Sequence, residues 1–440
     1  MERNKMKKGF VGLLAAVVLV CSWPAARVKA DEIGELKGQL SELQKKISEL
    51  ETRQQEKEQS LTKRIDELTK EKTSPAPLPE SLKWLEKIKI SGDLRYRHDH
   101  QDSQDSSGRW ENGVDRDRLR ARLMLEAVIN DQWDAVFRIA TGSDRSPIST
   151  NQDLEDAFSK KDIWLDLAYF DWHPAAHKGL NVLGGKMRNP FYKVGRNEYI
   201  WDNDLNPEGI AGQISKPLND SDRLFFNGGG FWVDESASSA DTSLWGAQTY
   251  VKHDLGNSDY LLGGASYWDY ANLQGRTDLK STWGSPSDFF GNTSSGGLYA
   301  SDYDLVEAFG EYGFKCAAMP IAVFGSWVRN IVASTSKDTG WLAGAKLNKA
   351  AEPGSWEFGY DYREMEADAV VGGFTESEFL DGATDARGHK FGFTYQWAKN
   401  LQSTLAYYHL EDTSGSTRNL DYRRLVADLL LKFLRGEFTG

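Results

Sequence analysis

From residue 81 onward, apolar and polar side chains alternate with a period of two. Ile88, Ile90, Gly92, Leu94 and Tyr96 interleave with Lys89, Ser91, Asp93, Arg95 and Arg97. Leu119, Ala121, Leu123, Leu125, Ala127 and Ile129 interleave in the same way with Arg118, Arg120, Arg122, Met124 and Glu126. Successive side chains of a strand point to opposite faces, so each segment has one apolar face and one charged or small face. About sixteen such segments begin near residues 84, 116, 132, 162, 180, 209, 222, 243, 259, 302, 320, 340, 355, 388, 401 and 421.

The connections carry more information than the count. Short turns (130–131, 173–179, 216–221, 253–258, 316–319, 348–354 and 398–400) alternate with long loops (99–115, 142–161, 189–208, 233–242, 271–301, 331–339, 364–387 and 411–420). That sorting predicts an all-β fold, a closed antiparallel transmembrane β-barrel with brief periplasmic turns and long external loops. In hydrocarbon every backbone N–H and C=O needs an internal partner, so the barrel must close. An even strand number puts both barrel ends at the periplasm. In the last strand Leu425, Ala427, Leu429, Leu431 and Phe433 face lipid, while Asp428 and Lys432 face inward. The opposite register would place those charges in lipid at about 2–4 kcal/mol each near the midplane.

Residues 31–72 follow another rhythm. Ile33, Leu36, Leu40, Leu43, Ile47 and Leu50 have the 3-4 spacing of a coiled-coil seam, and the segment lacks Pro and aromatic residues. A lone helix polar on most faces is marginal in water, so this predicts an α-helical, self-associating periplasmic rod. Residues 73–80 (TSPAPLPE) act as a proline-rich spacer. Residues 1–30 have a basic start, an apolar run over 10–20 and a small-x-small ending, the pattern of a secretory signal peptide. The expected division is therefore 1–30, 31–72, 73–80 and a barrel over 81–440.

Composition sharpens this picture. Apolar residues make up 40% and charged residues 27% of 440. The longest apolar run is too short for a spanning helix, which needs about 20 residues. The 15 Trp, 17 Tyr and 20 Phe lie almost wholly after residue 80. A net charge of -12 argues against nucleic acid as a partner. Past residue 30 the one cysteine is Cys316, so no thiolate metal cluster is expected. No cofactor, metal site or catalytic constellation stands out. His173 and His177 are four apart, but Pro174 spoils a helical metal pair.

These residues together resemble the trimeric outer-membrane porins of Gram-negative bacteria, and within them the putative porins with an N-terminal coiled coil. The resemblance rests on the signal peptide, the heptads, the opening strand over 88–97 (IKISGDLRYR) and the arginine-rich stretch over 115–122 (DRDRLRAR). The stretch over 184–191 (GGKMRNPF) leading to Trp201 and Asp202 adds to it. It implies a non-enzymatic, water-filled channel in the outer membrane, passing small hydrophilic solutes and ions by passive diffusion. It further implies a homotrimer bedded in outer-membrane lipid and lipopolysaccharide. The rod is free to meet peptidoglycan or another periplasmic partner.

Similar porins fold a third loop inward. Here that loop carries Glu198, Asp202, Asp204 and Glu208, facing luminal Arg95, Arg97, Arg118, Arg120, Arg122 and Arg138, with both charge sets expected to stay solvated. Two arrangements fit: an eyelet with a transverse field, or a mutually compensated lumen with no constriction role. Leu429, Leu431 and Phe433 are the candidate assembly signal. An alternative role is a structural barrel that sheathes an electron-transfer partner or tethers the membrane to the cell wall.

Overall fold

Pairing of the first strand with the last is what closes the sheet. In the computed structural model Ile88–Ser103 pairs antiparallel with Leu420–Arg435 on one side and with Val114–Asn130 on the other. The structure describes residues 30–73, 80–105, 107–111, 113–143, 146–236, 240–277, 279, 289–415 and 420–435. The signal peptide reading and most of the proline-rich spacer lie outside them. So do the side chains of Ile33, Leu36 and Leu40.

Sixteen strands make the wall: β1 Ile88–Ser103, β2 Val114–Asn130, β3 Trp133–Thr141, β4 Ile163–Trp172, β5 Leu180–Lys186, β6 Glu208–Pro217, β7 Asp222–Asp234 and β8 Thr242–Gly256. They continue as β9 Asp259–Ala271, β10 Tyr303–Cys316, β11 Met319–Asn330, β12 Thr339–Asn348, β13 Trp356–Met365, β14 Ala386–Ala398, β15 Leu401–Asp412 and β16 Leu420–Arg435. Each pairs antiparallel with its sequence neighbours, and β1 with β16 completes the ring. Every strand starts within four residues of the position its alternation predicts; residues 84–87 instead belong to a short 3-10 helix, Glu80–Lys87. Short and long connections alternate as expected.

The two faces divide by chemistry. Ile90, Leu94, Tyr96, Leu425, Leu429, Leu431 and Phe433 are exposed on the outside, where lipid covers such residues in a membrane. Arg97, Asp99 and Arg424 are buried inside. On the outer face Gly92 lies opposite Phe433 across the closing seam. A Cβ at Gly92 would come within 2.4 Å of the Phe433 ring and 2.2 Å of the Arg122 carbonyl oxygen.

The lumen is not uniformly polar. Phe191, Trp201, Phe231, Trp268, Tyr270 and Phe374 form a buried aromatic cluster, with Trp201 and Phe374 stacked at 6.5 Å and 9°. Trp268 is 1% exposed and packs on Phe191 and Trp201. Trp133, Trp164, Trp232 and Trp397 do face outward.

The chain divides into two compact units at Ser81 and Leu82. In the first, among the described residues, the α-helix α1 Ala30–Thr73 runs 44 residues. Leu43, Ile47 and Leu50 are exposed on it, and Lys46 pairs with Glu42 at 3.0 Å.

Candidate functional site: the luminal constriction

Strand parity sends four arginines of β2 inward in a row: Arg116, Arg118, Arg120 and Arg122. They meet carboxylates already in the lumen. Asp93 on β1 accepts from Arg120 Nε at 2.9 Å and from Arg122 Nε at 2.9 Å. Arg116 donates to Asp99 at 3.0 Å. Arg118 donates to Asp153 at 2.5 Å, because the second loop folds back and pairs Gln152–Asp153 with β2. Arg95 donates to Asn151 of the same loop at 2.6 Å, and Arg138 pairs with Asp166 on β4. Arg97 holds Asp428 on β16 through Nε at 2.7 Å and Nη2 at 2.8 Å, and also pairs with Glu378. The arginine wall is therefore compensated largely from its own side.

These charges are also drier than expected. Arg97 and Arg120 retain 5% and 7% of their exposure. A buried pair is bound by geometry and hydrogen bonding, and losing one member strands the other.

The third loop, residues 187–207, crosses the lumen. At one end its tip is fixed to the far wall. Glu311 on β10 accepts from the Gly195 N–H at 2.7 Å, from the Tyr192 hydroxyl at 3.2 Å and from the Tyr260 hydroxyl. Gly195 has φ +56 and lies against Phe324, so a side chain there would be strained and would clash. On its return the loop places Asp204 against the arginines: Arg122 at 3.3 Å, with the Thr150 hydroxyl at 2.8 Å. Burial would raise the Asp204 carboxyl, but Arg120, Arg122 and Arg95 outweigh it and hold it below its ordinary value. Asp202, two residues earlier, has no such partner. Burial and then the charges of Glu198, Asp204 and Glu378 push it well above the usual carboxylate range. Glu198 lies 3.7 Å from Lys390, and burial raises it too. Glu208 is apart from this group: it opens β6, is more than half exposed, and pairs with Lys186 at 2.7 Å.

Periodicity did not single out the seventh loop, residues 366–385, yet it shares the lumen. Its backbone binds the third loop: the Ser377 N–H donates to Asp202 at 2.9 Å, and the Asp202 N–H to the Phe374 carbonyl at 2.8 Å. Glu376 is fully buried among Arg363, Lys390 and the Tyr408 hydroxyl, the last at 2.8 Å. Glu378 pairs with Arg97, while Arg424 joins Asp99 at 2.6 Å and Asp381 at 3.4 Å. Burial would raise Glu376 and Glu378, but adjacent cations prevail. Arg363 and Lys390 hold Glu376 down to about 2, and Arg97, Arg424 and Arg95 hold Glu378 well below its ordinary value. The available signal was the acidic run over 376–381 together with inward parity at Arg363 and Arg424.

A barrel of this kind, with a loop laid across a charged lumen, defines a porin. A family model described as a putative porin matches residues 109–301 and 307–433, and the chain belongs to that family. Among solved structures, OprB of Pseudomonas putida in its high-pH form is 10% identical, over 80% of this chain and 96% of its own, with a TM-score of 0.53. A mutant porin of Rh. blastica is 13% identical over 79% and 100%, with a TM-score of 0.44. OmpT of Vibrio cholerae is 11% identical over 79% and 97%, also at 0.44. No curated protein matches the sequence.

Proposed function

We propose that the barrel passes small hydrophilic solutes and ions across the outer membrane by passive diffusion, filtered by size and charge where the third loop crosses the lumen. One observation carries this reading: Asp204 on that loop sits at 3.3 Å from the inward arginine row of β2. A loop fastened to the charged wall in this way narrows the aqueous passage and lines it with fixed charges, which order water and penalise apolar solutes. The seventh loop belongs to the same filter through its bonds to Asp202.

Planar-bilayer recording tests it. The purified protein should give discrete conductance steps with a salt-dependent ion preference. Replacing Arg118, Arg120 and Arg122 together by Ala should move selectivity towards cations, and an unchanged reversal potential would refute the filter. The aromatic cluster in the lumen supports a second reading, a structural barrel that sheathes a partner or tethers the membrane; protein that inserts without conducting favours it.

The exposed Leu43, Ile47 and Leu50 on α1 support a coiled coil that associates copies of the chain, with a homotrimer as the family-like outcome. On this reading residues 1–30 are removed on export and α1 stands in the periplasm. There it can also meet peptidoglycan, while lipid and lipopolysaccharide surround the wall.

A further inference from the structure

Beneath the tip of the third loop, on the short-turn side of the lumen, lies a cavity of about 480 Å³. Its lining brings together Lys193 and Arg196 of the loop with Lys315, Lys346 and Lys349 of the wall, against only Glu311 and Glu357. Glu311 already accepts from two tyrosine hydroxyls and the Gly195 N–H, so its charge is dispersed over three donors. Glu357 reaches Lys346 only at 3.8 Å. Lys193 is turned to the Trp201 carbonyl at 3.0 Å and to Asn203 at 2.5 Å, and Lys315 to Ser258 at 3.0 Å. Among the described residues, the side chains of Arg196 and Lys349 have no carboxylate or hydrogen-bond partner, and both residues are exposed. Cations thus outnumber carboxylates in the lining, and the positive φ at Gly195 and Arg196 (+56 and +54) fixes the turn that brings the loop tip there.

We propose that this cavity is a docking subsite for a small oxyanion, a phosphate or carboxylate group, on the periplasmic side of the constriction. The proposal rests on reading the lumen as a solute path, and adds a local anion site to it. Arg196 offers a planar fork that matches an oxyanion, Lys349 supplies a second cation, and Lys346 shares its charge with Glu357 only at 3.8 Å. Such a site sits in water and in excess positive charge, so its hold weakens as salt rises.

Inorganic phosphate is the probe. Titrated calorimetrically into the full-length protein in detergent at low ionic strength, it should bind saturably. The double variant Arg196→Gln/Lys349→Gln should bind about tenfold more weakly, and Arg196→Lys should recover part of the loss. Circular dichroism should show the same sheet content in both variants. No saturable binding to the wild-type protein overturns the subsite, as does undiminished binding to the double variant. Conductance of the wild-type protein in KCl tests the channel separately. Steps without phosphate binding sink this inference and leave the channel; binding without steps does the reverse.

Discussion

Glu376 is wholly buried yet keeps its charge, because Arg363, Lys390 and the Tyr408 hydroxyl converge on it. Glu376→Gln would remove the nearest counter-charge of two cations, leaving Arg363 to Asp361 at 3.2 Å and Lys390 to Glu198 at 3.7 Å. A buried charge left wholly unpaired costs about 3–5 kcal/mol; the remaining partners make the cost here smaller, and protease cleavage within residues 366–385 should rise accordingly. A carboxyl held low in the folded state contributes stability above its unfolded value, near about 4.3. That stability is lost as pH falls through the folded value, here about 2. The seventh loop should therefore stay anchored from pH 7 to 5 and release only in strong acid. Asp202 behaves oppositely. Its raised carboxyl favours the folded state most when protonated and loses that contribution as pH rises. Hydrogen-exchange protection of the Ser377 amide, corrected for intrinsic rate, should accordingly be greater at pH 5 than at pH 7.

Individual strands were legible because lipid and water impose opposite demands on alternate residues. Asp428 in the last strand decided its register before any partner was known, and it pairs with Arg97 in the structure. Strand β9 was harder to read. Leu261 and Tyr267 face out while Leu262, Trp268 and Tyr270 face in, so both faces are apolar and alternation has no sign. The inward course of the seventh loop was not legible either, since Asp202 meets Ser377 only once the ring has formed. At the closing seam, Gly92→Val would drive a side chain into the Arg122 carbonyl and the Phe433 ring. It should lower stability by about 1–3 kcal/mol, read from the urea midpoint of the folded barrel. Phe433 thus has a packing role beside its candidacy as an assembly signal.

In the barrel unit, a closed wall holds a third and a seventh loop that are tied to each other. Charges at the constriction arrive from both ends of the sequence: Arg97 and Arg122 from the first two strands, Glu376 and Arg424 from the last quarter. Deleting residues 31–72 should reduce the oligomer seen by cross-linking while single-channel conductance stays nearly intact; a loss of conductance would make the helix part of the pore.

The ion pair at the seam has a temporal consequence. Arg97 and Asp428 are 331 residues apart, so the bond that completes the ring must bring together distant segments against the entropy of a very long loop. Until then β1 offers an open row of donors and acceptors to any neighbouring chain, and such edges invite aggregation. Ring closure is for that reason expected to be the slow step of maturation, during which the edge of β1 needs a chaperone's cover.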